Sequence, residues 1–283
     1  MHVRNPVEWG VDQVKSASSA LGHAAAHRHQ AAVPRIRRIS FAEIHYALAR
    51  GVEDFAAFRG DVVFLVFVYP LAGLVLARLI FGYDLLPLLF PLASGFALIG
   101  PIAAVGLYEM SRCREAGSDE VGWADAFAVF RSPAIGSIML FGLLLLAIFA
   151  VWIGVASAIY DATLGPEPPV SGAAFVHDVF TTAGGWAMIG LGIGIGFLFA
   201  VGVLAISVVS VPLLLDRDVG LLAAVAASLR AVMANPVPMA AWGLIVAAGL
   251  VLGTAPLFLG LIFVLPVLGH ATWHLYRRLV VPE

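Results

Sequence analysis

Six runs of apolar residues divide this chain, at 61–82, 85–108, 134–159, 186–214, 238–254 and 257–276. A helix needs about 20 residues to cross the hydrocarbon core of a bilayer, and each run is close to that length. The last two runs form one continuous apolar stretch, too long for a single crossing. Thr254-Ala255-Pro256 is where it folds into a hairpin, because proline disfavours helical geometry in the residue before it. The fourth run is long for one crossing and is expected to tilt or to run on into the cytoplasm. The pattern predicts an all-α membrane bundle of six transmembrane helices.

Between the runs lies a second pattern. Phe41, Ile44, Leu48, Val52 and Phe55 recur at helical spacing, with Glu43, Arg50 and Asp54 on the other side. Ser40 followed by Glu43 forms a capping-box start. Trp123, Phe127 and Phe130 make a shorter version before the third run. Leu222, Val225, Leu229 and Val232 make another before the fifth, with Asp218 as the candidate cap. Each is read as an interfacial amphipathic helix leading into a membrane hairpin. The chain then divides into three hairpin units, at about 40–108, 120–214 and 219–276.

Composition strengthens the membrane assignment. Of 283 residues, 61% are hydrophobic and 12% charged, and the mean hydropathy is +0.97. Soluble domains are about half apolar and a quarter charged. The net charge of −2 gives no case for a nucleic-acid partner. The single cysteine, Cys113, excludes an internal disulfide and a multi-cysteine metal site. The first 38 residues are rich in Ala, His and Arg and lack the apolar core of a signal peptide. They are read as a polar cytoplasmic tail (1–38) preceding a six-helix transmembrane domain (39–283).

The arginines orient the bundle by the positive-inside rule. Basic residues crowd before position 60, between runs two and three (Arg112, Arg114, Arg131), between runs four and five (Arg217, Arg230) and after run six (Arg277, Arg278). The segments assigned to the outside, including 160–185, carry none; Arg78 is the exception, within snorkelling reach of the interface. Both termini are therefore expected in the cytoplasm.

Few residues suggest chemistry. Asp61, Asp84, Glu109 and Asp216 are expected at the ends of spans, and no carboxylate is expected near mid-membrane, where proton- and ion-coupled carriers often use one. His270 and His274, four apart on one helix face, are candidate metal ligands, with His45 a possible third. The alternative places them in an aromatic belt with Trp273 and Tyr276 at the inner headgroups. His23, His27 and His29 lie in the tail. Gly190, Gly192, Gly194 and Gly196 form two overlapping G-x-x-x-G spacings, expected to let another helix approach closely, within the bundle or from a partner. No catalytic constellation of nucleophile and base and no glycine-rich phosphate loop is present, so no catalytic residue and no cofactor is assigned. The basic stretch Pro34-Arg35-Ile36-Arg37-Arg38 is a candidate surface for lipid or a partner, through Arg35, Arg37 and Arg38.

Three stretches carry a family resemblance: Val211-Pro212-Leu213-Leu214-Leu215-Asp216-Arg217-Asp218-Val219, the segment Ser228 to Pro236, and Leu265-Pro266-Val267-Leu268 leading into Gly269-His270-Ala271-Thr272-Trp273-His274-Leu275-Tyr276-Arg277. Through them the chain from about Arg38 to Val280 resembles DUF2189, a family of bacterial inner-membrane proteins of unknown function. The resemblance supports a multi-pass protein of the bacterial inner membrane but implies no activity. The expectation is a non-catalytic accessory, scaffold or assembly subunit of a larger respiratory or photosynthetic membrane complex, in contact with lipid and other subunits. The alternatives are a transporter or channel for a small solute, and a metal or haem protein built on His270 and His274.

Overall fold

The computed structural model describes residues 34–58, 86–118, 121–217, 219–256 and 259–282. The first expected span, the cap candidate Asp218 and residues 1–33 lie outside them. Among the described residues all regular structure is helical, apart from one isolated antiparallel bridge between Ile36 and Val280.

Helix α1, Phe41–Ala57, begins on the expected capping box. The Ser40 backbone N–H donates to Glu43 at 2.7 Å, and Ser40 Oγ accepts from the Ala42 N–H at 3.2 Å. Its buried face differs from the expected one. Ile44, Ala47, Gly51 and Asp54 turn inward, whereas Phe41 and Val52 are 59% and 53% exposed. The cause is the neighbour, α11 (Leu261–Leu279), which packs on α1 more extensively than any other pair of helices. A Cβ on Gly51 would lie 2.7 Å from the Ala271 nitrogen and the Val267 carbonyl. Backbones this close admit only small residues between them, the usual basis of helix contacts in lipid.

The second expected span is a pair of helices, α2 (Leu89–Ala103) and α3 (Val105–Glu115). Pro101, just before the break, supplies no N–H to the helical ladder. The short pre-span helix appears as α4 (Trp123–Ala126), continued by a tighter 3-10 turn over Phe127–Arg131. Among the described residues three helices are long and apolar enough to cross a membrane: α5 (Ile135–Thr163), α7 with α8 (Ala183–Ser207 and Ser210–Asp216), and α10 (Pro236–Thr254). Between α5 and α7, Gly172–Thr181 forms α6, capped by Ser171, whose Oγ accepts from the Ala174 N–H at 3.1 Å. Helix α9, Leu221–Ala234, precedes α10 and repeats the inversion seen in α1: it buries Ala224, Ala227, Ser228 and Ala231 and exposes Leu222 and Met233.

Two regions result. Helices α2, α5 and α7 form an apolar cluster, while α1, α3 and α11 form a polar one. The short α8 joins them; its residues Ser210 to Leu215 are buried against α3, α5, α9 and α11.

Candidate functional site

The polar cluster is built on small residues that let α1, α3 and α11 converge. Asp54 reaches in from α1, Ser111 and Arg114 from α3, and His270 and His274 from α11. Asp54 is 1% exposed, and Ser111, His270 and His274 are likewise buried. Ser111 Oγ donates to Asp54 Oδ2 at 2.6 Å and lies 2.8 Å from His270 Nδ1. The His274 Nε2–H donates to the same Asp54 Oδ2 at 2.8 Å. Arg114 Nη1 donates to Asp54 Oδ1. The His270 ring also hydrogen-bonds the Leu107 backbone and packs 5.3 Å from the Phe58 ring.

Burial pushes the Asp54 carboxyl up, but hydrogen bonds from His274 and Ser111 and the adjacent imidazoles hold it below its usual value. Asp54 is therefore an ionised carboxylate with both oxygens engaged. The Ser111 hydroxyl has one proton and two neighbours able to accept it, Asp54 and His270. The chain His270–Ser111–Asp54–His274 can thus hold its protons in more than one arrangement. It lacks the order of a nucleophile–base–acid triad, in which the carboxylate orients the imidazole. Here Asp54 holds the serine directly, and Ser111 is buried.

A second polar layer surrounds this centre. Trp273 Nε1 donates to Glu115 Oε2 at 2.9 Å, and Arg277 Nε donates to Glu115 Oε1 at 3.0 Å. The Tyr276 hydroxyl donates to Asp216 Oδ2 at 2.5 Å, which Arg277 Nη1 also approaches at 3.4 Å. Arg112 grips Glu109 with two hydrogen bonds, at 2.7 and 2.6 Å.

These contacts relocate several expected residues. His274 bonds the buried Asp54 carboxylate directly and His270 reaches it through Ser111, and Trp273 and Tyr276 are buried beside them; none forms an exposed belt. Both imidazoles are engaged, His45 is exposed elsewhere on α1, and among the described residues no three metal-type side chains converge. Glu109 is buried against Arg112 instead of facing water. Asp54, expected on the solvated side of α1, is the centre of the cluster. Of the four alternating glycines of α7, Gly196 meets a neighbour, with its Cβ position 3.1 Å from the Trp152 ring; among the described residues nothing lies within 4 Å of Gly190, Gly192 or Gly194. Among the described residues, then, the face of Gly190, Gly192 and Gly194 is open.

The basic stretch is a strap with a fixed backbone. The Arg37 N–H donates to Leu279 O at 2.8 Å and the Val281 N–H to Arg35 O at 3.0 Å. Asn235, at the α9–α10 junction, accepts from the Ile39 N–H at 2.7 Å and donates to Arg37 O at 3.0 Å. The side chains of Arg35, Arg37 and Arg38 project outward and are exposed.

Residues 89–216 match the family described as predicted integral membrane protein (DUF2189). The match takes in the Val211–Asp216 portion of the expected motifs; the segments 228–236 and 265–277 lie outside it. No curated protein and no solved structure matches the chain.

Proposed function

We propose that this integral membrane protein is a non-catalytic accessory or scaffold subunit of a larger complex in the bacterial inner membrane. In this reading six spans form three hairpin units, with both termini in the cytoplasm and the polar cluster at the cytoplasmic face. The observation that carries it is the contrast between a closed interior and an open periphery. The buried polar groups of α1, α3 and α11 hydrogen-bond one another, which suits a rigid clamp. Helices α5 and α10 leave most of their apolar length uncovered. Among the described residues the Gly190, Gly192 and Gly194 face of α7 is free for the backbone of another helix.

The test is extraction of the full chain from native membranes in gentle detergent, sizing on a native gel and identification of co-purifying chains by mass spectrometry. Stoichiometric recovery with other membrane subunits is expected. Recovery alone, or as a homo-oligomer, would overturn the reading. A transporter for a small solute is the second reading, favoured by the buried carboxylate–imidazole pair of Asp54 and His274, since such chains carry protons in coupled carriers. Purified protein in liposomes that moves no protons or solute down an imposed gradient would remove it.

A further inference from the structure

A groove of about 530 Å³ opens between the strap and the last turns of α9, lined by Pro34, Arg35, Ile36, Arg230, Met233 and Ala234. Arg35 comes from the strap and Arg230 from α9. Both are exposed, and among the described residues no carboxylate lines the groove and neither guanidinium has an ion-pair partner. Two unpaired guanidiniums facing one opening repel each other, and an anion between them relieves that repulsion. The arrangement suits a phosphate, which arginine binds through paired N–H donors. It is also built: the hydrogen bonds to Leu279, Val281 and Asn235 set the strap backbone, and so the position from which Arg35 reaches.

The remaining wall is apolar. Met233 is 70% exposed at the groove, Leu229 is exposed one turn before it, and Val237 is exposed just beyond, at the start of α10. The apolar surface thus runs from the arginines onto a helix long and apolar enough to cross the membrane. A ligand with a phosphate head and hydrocarbon tails fits this sequence of surfaces, and the groove lies where such a head resides, at the root of a span.

We propose that this groove is a headgroup site for an anionic phospholipid, with Arg35 and Arg230 holding the phosphate and Met233 and Leu229 lying along the acyl chains. The proposal rests on membrane residence alone and not on the accessory-subunit reading, so either can fail without the other.

The test uses the full chain purified in mild detergent, offered equal amounts of phosphatidylglycerol and phosphatidylcholine, with retained lipid counted by native mass spectrometry. Selective retention of phosphatidylglycerol is expected. Loss of one interfacial arginine removes about 1 kcal/mol of attraction to anionic lipid, so Arg35→Gln or Arg230→Gln should weaken retention about five-fold. The double variant should weaken it further, and Arg131→Gln, outside the groove, should leave it unchanged. Both side chains are exposed, so unfolding midpoints should match the wild type, which separates lost binding from lost fold. Equal retention of the two lipids, or undiminished selectivity in both single variants, would overturn the proposal. Displacement of the lipid by inorganic phosphate at equal concentration would make this a free-anion site and also overturn it.

Discussion

The contact between α1 and α11 and the contact between α5 and α7 solve one problem in opposite ways. Both hold helices together in an integral membrane protein. The first brings backbones together, Gly51 against Ala271, and lines the seam with Asp54, Ser111, His270 and His274. The second sets a large aromatic against a glycine: Trp152 packs on Gly196, and Phe149 on Gly95 of α2. Even there the indole N–H is satisfied, donating to Ser94 Oγ at 2.9 Å. The polar seam gains specificity from directional bonds and loses heavily if one partner is removed. The aromatic seam gains contact area and tolerates small shifts.

The sharpest break in that comparison is Asp54→Ala. It leaves Arg114 and His274 without their shared carboxylate, and breaking a buried ion pair costs about 3–5 kcal/mol. A large fall in the thermal midpoint of the detergent-solubilised protein is expected; an unchanged midpoint would remove Asp54 from the centre of the fold. Gly51→Leu comes next. Its side chain would meet backbone atoms 2.7 Å away, which cannot move independently, and overpacking of this kind costs about 1–3 kcal/mol. Gly196→Leu should cost less, because the Trp152 ring it meets can shift. Equal midpoints for the two glycine variants would erase the distinction between the seams.

Of the two seams, acid should act on the polar one. The folded-state pKa of Asp54 is lowered, so its carboxylate stabilises the fold above the unfolded value of about 3.8 and that contribution is lost as pH falls through the folded value. The wild type should therefore lose more stability than Asp54→Asn between pH 6 and pH 3, read from unfolding midpoints across that range. Trp152→Phe, which keeps the ring contact but loses the hydrogen bond to Ser94, should cost about 0.5–1.5 kcal/mol. The smallest effect belongs to Gly192→Ala. Among the described residues nothing lies within 4 Å of the added methyl, so the isolated chain should change by less than about 0.5 kcal/mol. A loss of co-purifying subunits at unchanged midpoint would then mark that face as an interface.

Helix positions were largely legible from the periodicity. The capping box at Ser40 and Glu43, the start of α5 and the end of α10 at Thr254 fall where the pattern placed them, whereas α5 runs on past the expected end to Thr163. Which face of a helix turns inward was not legible, because the usual rule runs backwards beside lipid. Phe41 and Val52 on α1, and Leu222 and Met233 on α9, look like core residues by size, yet they face outward while Ala, Gly and Ser face in. The signal was present in α1 as the spacing Ile44, Ala47, Gly51, Asp54, three small or polar residues on one stripe. The centre of the cluster was illegible for another reason. Its members come from positions 54, 111, 270 and 274, and nothing local in α1 reveals that α11 will supply an imidazole.

That separation has a consequence for how the molecule is made. Asp54 leaves the ribosome 220 residues before His274. At about 5–20 residues per second, the carboxylate waits roughly 10–45 s for its partner. The strap waits as long for Leu279 and Val281, which close over it. Helix α11 therefore acts as the keystone of assembly: until it arrives, Asp54 has Arg114 but neither imidazole, a half-satisfied polar site by which quality control can tell an unfinished molecule from a finished one.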